Sequence, residues 1–323
     1  MRVGILGAGG MGNVHARQYR KMADVDLRFF DPDPERSETF RGRWEAESLA
    51  SSSELIDWAD VVDVCLPTDL HVDIGLAALG AGKATFIEKP LAGNLTDARR
   101  LVEAGGRLGV GHVVRYFPEF AAGRATVVSG GIGTPAAART RRGGTAPSGL
   151  GGWFMDHSRS GGVLIDLAIH DFDWLRWTLG EVKLLYSRSV GAKTGHGPDY
   201  ALTTLTFESG AVAHVESTWM DPSGFRTAFE VAGSGGLIEF DSRTTPSLRT
   251  HTVGATATES NLSATDDPYY RQLRAFLDAI TTGSELPVSG LDGFAALSIA
   301  LAARESAQTG KVVVPERWTP STP

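Results

Sequence analysis

As far as about Tyr116, short apolar or β-branched runs alternate with amphipathic stretches, the pattern of parallel strands joined by crossover helices. Strands are predicted at Arg2 to Gly7, Asp26 to Asp31, Val61 to Pro67, Ala84 to Glu88 and Gly109 to Tyr116. Residues 94 to 107 read as one of the helices: Leu95, Ala98, Leu101 and Val102 recur at helical spacing, Asn94 offers an N-cap, and Gly105 and Gly106 mark the end. After Pro118 the texture changes. A Gly/Arg/Ser-rich stretch at 139 to 152 (RTRRGGTAPSGLGG) interrupts the pattern, and strands separated by hairpin signals follow. YALTTLTFESGAVAHVESTW predicts two strands joined through Glu208, Ser209 and Gly210, and AFEVAGSGGLIEF a second hairpin turning at GSGG. Their alternation covers one face and leaves the other to solvent or a second subunit. Helical segments at Tyr269 to Thr282 and Gly290 to Thr309 close the chain, and no internal repeat is visible.

With 323 residues, 42% of them hydrophobic and 21% charged, the chain has the make-up of a globular protein of two domains. A net charge of -7 and scattered basic residues argue against nucleic acid, and the cluster Arg139, Arg141 and Arg142 is too short to reverse that. The one cysteine, Cys65, lies in the apolar run VVDVCLPT and reads as a buried strand thiol in a reducing cytoplasm. Neither a signal pattern nor an apolar run long enough to cross a bilayer is present, so no membrane partner is expected.

Three motifs carry chemistry. Gly7, Gly9 and Gly12 in ILGAGGMG form a GxGxxG between the first strand and a helical stretch. The first glycine permits the turn, the second lets a pyrophosphate approach the backbone, and the third allows close helix–sheet contact, with Gly10 and Met11 in the same cradle. Asp31, at the end of the next strand, is placed to accept the adenosine ribose hydroxyls and repel a 2′-phosphate, favouring NAD. A turn aspartate in FDPDPER is the plain alternative, and Arg36 and Arg41 leave NADP open. The expected first domain is therefore a Rossmann dinucleotide-binding domain over residues 1 to 118.

In ATFIEKPLAG, Glu88, Lys89 and Pro90 follow a strand at its carboxyl end, where open α/β sheets bind ligand. A lysine there can stabilise alkoxide character on a substrate oxygen; elsewhere it is a solvated loop charge. The third motif is SGGVLIDLAIHDFDWLRWTLG, residues 160 to 180, with Asp166 and His170 four apart on one helical face. His170 suits a general base, with a capping carboxylate and a core histidine as the bland reading. Asp166, His170 and Asp173, with His157 nearby, suggest a metal site less well, because no second convergent histidine is evident; no metal is expected. Trp174, Leu175 and Leu179 read as core.

These motifs, in this order, resemble the glucose-fructose oxidoreductase, inositol dehydrogenase and rhizopine-catabolism (Gfo/Idh/MocA) family. The resemblance runs over nearly the whole chain, through ILGAGGMGNVHA, DVCLPTDLHVDIGLAALGAGKATFIEKPLAG, VGHVVRYFP and SGGVLIDLAIHDFDWLRWTLG. It implies an α/β protein: the Rossmann domain, then a second α/β domain over 119 to 323 with a large, mostly antiparallel sheet, whose C-terminal helices pack back on the first. Homodimers or homotetramers through that sheet are implied. So are catalytic roles for Lys89, Asp166 and His170, and cofactor roles for Gly7, Gly9, Gly10, Met11, Gly12, Asp31, Glu88, Lys89 and the loop of Pro67, Thr68 and His71. Pro90 matches a proline that usually follows a cis peptide. Val163 and Ala168 depart from the family's glycines, and Trp153, His157, Arg159, Arg115 and Tyr116 are specificity candidates. The implied activity is hydride transfer between nicotinamide and a secondary hydroxyl or ketone of a sugar, sugar derivative or cyclitol. A redox-neutral NAD-dependent glycosidase and a non-catalytic NAD-binding sensor are the alternatives.

Overall fold

The structure, a computed structural model, describes residues 1–147, 154, 156–191, 200–245, 247–252, 254–259 and 267–319. Contacts divide the chain into two units. One comprises Met1–Val113, Asp266–Phe294 and Trp318–Pro323; the other comprises Val114–Thr265 and Ala295–Arg317.

The first unit holds six parallel strands: β1 (Arg2–Leu6), β2 (Asp26–Phe30), β3 (Glu47–Ser48), β4 (Val61–Val64), β5 (Ala84–Ile87) and β6 (Leu108–Val110). Their order is β3-β2-β1-β4-β5-β6, so the winding reverses between β1 and β4, the place where such sheets bind ligand at their carboxyl ends. Helices α1 (Gly10–Tyr19), α2 (Pro34–Trp44), α3 (Ser52–Trp58), α4 (His71–Gly80) and α5 (Leu95–Glu103) make the crossovers. Local chemistry fixes their starts: the side chains of Asp33, Ser51 and Asn94 accept the N–H groups of Arg36, Glu54 and Asp97. The sheet core includes Val3, Ile5, Phe29, Val61 and Phe86, joined by Leu273, Phe276 and Leu277 from a late helix, Pro268–Thr282. Phe276 meets Phe86 edge to face at 5.2 Å.

The second unit opens with α6 (Pro118–Val128) and β7 (Pro135–Gly143), continues through the short α7 (His157–Ser160) and α8 (Gly162–Asp166), and reaches α9 (Ile169–Leu179). Seven further strands follow: β8 (Val182–Val190), β9 (Tyr200–Phe207), β10 (Val212–Thr218), β11 (Arg226–Gly233), β12 (Gly236–Asp241), β13 (Leu248–Thr252) and β14 (Ala255–Glu259). The late helix of the first unit is α10, and α11 (Gly290–Thr309) is the last. The eight-stranded sheet is ordered β14-β13-β12-β11-β7-β10-β9-β8, antiparallel except where β7 runs parallel to β10. Both predicted hairpins are present, as β9–β10 and β11–β12. One face carries Phe229 and Phe240, packed with Phe120 of α6 and Trp174 of α9. The opposite face carries cross-strand charge pairs: Arg139 with Glu230, Arg141 with Glu216, Arg226 with Asp241 and Arg249 with Glu239.

Three sequence expectations need correction. The interrupted stretch beginning at Arg139 is, to Gly143, the end of a central strand. Its arginines alternate: Arg139 and Arg141 pair on the charged face, while Arg142 turns inward to a buried carboxylate of Asp171 at 2.8 Å. The strand predicted over Gly109 to Tyr116 stops at Val110, because the His112 N–H folds back on the Val110 carbonyl; Val113–Tyr116 is a 3-10 turn. Finally, residues 160 to 180 are not one helix. The Ala168 N–H bonds to the Val163 carbonyl five residues back, which slips the ladder between α8 and α9.

Candidate active site

In the first unit the glycine loop is shaped by contact. Gly7 has φ +102°, and a Cβ there would stand 2.6 Å from the Cys65 carbonyl oxygen. At Gly12 a Cβ would stand 1.9 Å from the Gly7 carbonyl oxygen, so α1 lies directly on the turn after β1. Gly9 and Gly10 face open space. Helix α1 begins with no side-chain cap and no acidic residue in its first turn, which leaves its N–H groups to an anion. Met11 is half-buried beside them. Asn13, not singled out from the sequence, holds the loop by donating to the Ala8 and Gly9 carbonyls at 3.0 and 2.8 Å.

Asp31 is buried, and its carboxylate accepts the Ala8 N–H at 2.8 Å, the Asp33 N–H at 2.9 Å and the Arg36 guanidinium at 2.9 Å. Pro67 leads into a 3-10 turn, Thr68–Leu70, at the end of β4, with Thr68 buried. His71, on the first turn of α4, ties two loops together, its Nε2 lying 2.8 Å from the Leu66 carbonyl and its Nδ1 2.9 Å from that of Pro90. Burial pulls its pKa down, against the opposing pull of those carbonyls. Glu88 and Lys89 follow β5, and the Lys89–Pro90 peptide is cis. Glu88 is buried, with its carboxylate accepting the Lys89 N–H at 3.1 Å, while Lys89 is half-buried.

In the second unit Asp166 ends α8 and is 9% exposed; His170 lies in the first turn of α9 and is half-buried. Asp173 does not join them in a metal set, because Arg115 grips it through two bonds of 2.8 and 2.6 Å. Arg115, 5% exposed, is held by that pair in the interior of the second unit. Arg142 holds Asp171 in the same way, and burial raises the Asp171 pKa while Arg142 opposes the rise. Tyr116 is half-buried, His157 starts α7 with its ring 6.5 Å from that of Trp219, and Arg159 is exposed; Trp153 lies outside the described residues. Sequence reading missed Asp171, Arg142, His15 and Asp63. Only Asp63 carried a local signal, an acid within an all-buried VVDV strand.

Comparison with known proteins identifies the family of both units. The family model "Oxidoreductase family, NAD-binding Rossmann fold" matches residues 1–116, and the GFO/IDH/MocA C-terminal domain matches residues 120–239. Myo-inositol 2-dehydrogenase of Thermotoga maritima is 30% identical, over 97% of this chain and 98% of its own. The 1,5-anhydro-D-fructose reductase of Ensifer adhaerens is 34% identical over 82% of this chain and 83% of its own. A crystal structure described as a probable dehydrogenase from Thermotoga maritima superposes with a TM-score of 0.84 at 28% identity, covering 97% of this chain and 98% of that one.

Proposed function

Because the chain belongs to the GFO/IDH/MocA family of NAD-binding oxidoreductases, we propose that its substrate is a cyclic polyol or sugar derivative, oxidised or reduced at a ring carbon bearing a secondary hydroxyl. The observation that carries the reading is Lys89, two residues past the carboxyl end of β5 in a sheet whose first turn is an uncapped glycine loop. Similarity to an inositol dehydrogenase over nearly the full length, and to an anhydrofructose reductase over 82% of the chain, both named for ring compounds, supports the substrate class.

NAD, when bound, supplies the hydride acceptor. The N–H groups opening α1, with Gly7, Gly9, Gly10, Met11 and Gly12 around them, hold its pyrophosphate, and Asp31 accepts its ribose hydroxyls. Pro67, Thr68 and His71 form the loop beside it. Lys89 donates to the substrate oxygen, where its charge favours alkoxide over hydroxyl as hydride departs. His170 takes the hydroxyl proton and returns it in the reverse direction. Asp166 orients His170 and binds a neighbouring hydroxyl. We also assign the charged face of the eight-stranded sheet, with exposed Tyr186, Leu202 and Met220, to a homodimer or homotetramer contact. The reaction belongs to the cytoplasm, where reducing conditions keep the lone Cys65 a thiol. No helix among the described residues is long and apolar enough to cross a membrane.

NADH formation on a panel of inositols, anhydrohexitols and aldoses tests the proposal. One substrate group is expected to react, with kcat falling by a factor of roughly 100 or more in His170→Ala. Unchanged kcat in that variant and in Lys89→Met, or no turnover on the whole panel with NAD demonstrably bound, would overturn it.

A further inference from the structure

Beneath the glycine loop four ionisable side chains meet in a volume nearly closed to solvent. His15 of α1 and Asp63 of β4 are fully buried, while Cys65 and Glu88, just past β4 and β5, are 8% and 6% exposed. The His15 Nδ1 lies 2.8 Å from Asp63 Oδ2, and its Nε2 lies 3.2 Å from Glu88 Oε1. The second contact is a charge pair rather than an aligned hydrogen bond. Cys65 Sγ stands 3.2 Å from His15 Nδ1 and 3.4 Å from Asp63 Oδ1. His15, Asp63 and Cys65 have the donor types of a metal site. The 2.8 Å approach of His15 Nδ1 to Asp63 Oδ2 is that of a hydrogen bond, and we read the cluster as one joined by protons.

With the Nδ1 proton given to Asp63, a neutral imidazole would set the Nε2 lone pair against the Glu88 carboxylate 3.2 Å away; a second proton turns that repulsion into attraction, hence an imidazolium. We propose that His15 is a positioning residue: as an imidazolium it bridges Asp63 and Glu88, and through Glu88, whose other oxygen accepts the Lys89 main-chain N–H at 3.1 Å, it fixes Lys89 for the reaction. The inference rests on the role given to Lys89 above. It explains why a glutamate beside the reacting lysine is buried rather than presented to ligand, and why Gly111 has no side chain: a Cβ there would stand 2.6 Å from Glu88 Oε1.

The groups facing the imidazole account for its charge. They are Asp63 of β4, Cys65 just past it, Glu88 just past β5, Tyr19 from its own helix, and the rings of Phe86 and Tyr269, 5.9 and 6.2 Å away; Arg274 of α10 acts on Tyr19. Burial alone would strip the proton from His15, but Asp63 and then Cys65 outweigh it and hold the pKa well above the ordinary value.

The test compares His15→Asn, Glu88→Gln, their double variant and Lys89→Met, reading kcat, KM, NAD affinity and melting temperature. Each of the first two is expected to lower kcat about ten- to a hundredfold per folded molecule, as loss of a supporting residue does at other sites. The double variant is expected to be no worse than the poorer single, since both break one line of contact. Additive losses, or a kcat that is normal once folded fraction is counted, would overturn the relay. Lys89→Met separates the two ideas. Unchanged activity there removes the lysine's role, whereas full loss there beside an unaffected His15→Asn removes only the relay. Should the buried substitutions prevent folding, nitrogen NMR of the histidine-labelled wild type decides instead. The ring of His15 must keep both protons at a pH where an ordinary histidine has lost one, and a neutral His15 ring there would refute the bridge.

Discussion

The Asp31 carboxylate is engaged by the Ala8 and Asp33 N–H groups and by Arg36. A ribose therefore competes with the guanidinium for the remaining lone pairs, while the two main-chain donors keep the carboxylate aimed. Asp31→Ser removes a charged acceptor worth about 1.5–3 kcal/mol and releases Arg36, whose charge suits a 2′-phosphate. Steady-state kinetics should show KM for NAD rising by a factor of roughly 10 to 100 with NADP turnover appearing; equal kinetics for NAD would place the ribose elsewhere. Asp31 and the glycines were legible in the chain because their motif fixes the backbone within a few residues. His15 and Asp63 were not, being 48 residues apart, and neither were Arg142 and Asp171, 29 apart; nothing local says which buried charge will find its partner. His71 shows a half-success: the sequence marked its loop, but not that both ring nitrogens bridge main-chain carbonyls.

Among the elements, β9 and β10 could be read directly, because apolar and polar residues alternate along each strand and a glycine turn separates them. β7 escaped notice although it is central. Arginines lie on both of its faces, so the alternation that marks a half-buried strand is hidden until Asp171 neutralises the inward one. The break between α8 and α9 was equally hidden, since a one-residue slip leaves the helical period nearly intact. The Arg142–Asp171 clamp joins β7 to α9 with side chains only 6% and 0% exposed. Arg142→Met leaves a buried carboxylate without its cation, and urea unfolding should show a loss of about 3–5 kcal/mol. Adding Asp171→Leu should recover most of it, because an apolar pair of similar volume packs without charge desolvation. A single variant as stable as wild type would mean that the clamp contributes nothing.

At the scale of the molecule, two buried histidines give stability opposite dependences on pH. Burial outweighs the carbonyls at His71 and lowers its pKa, so its contribution is complete above the unfolded value of about 6.5 and is lost as pH falls toward the folded value. At His15 burial is outweighed by Asp63 and Cys65 and the pKa is raised, so that contribution is complete below about 6.5 and is lost as pH rises through the folded value. Urea midpoints should therefore peak near pH ~6.5 and already decline before about pH 8.5, ahead of any ionisation of the Cys65 thiol, which burial pushes up. A plateau across that interval would mean that His15 is neutral in the fold. Five of the six parallel strands and the hairpins of the mixed sheet followed from pattern; the two-residue β3 and the threading of the chain did not. The first unit takes its last core helix from Asp266–Phe294, after all the strands of the second. A nascent chain thus presents the Phe86 side of its parallel sheet to the cell while roughly 180 more residues are translated, on the order of ten seconds or more at ~5–20 residues per second. Until Phe276 emerges that apolar surface has no partner helix to cover it, and pausing of the ribosome between the two segments would prolong its exposure.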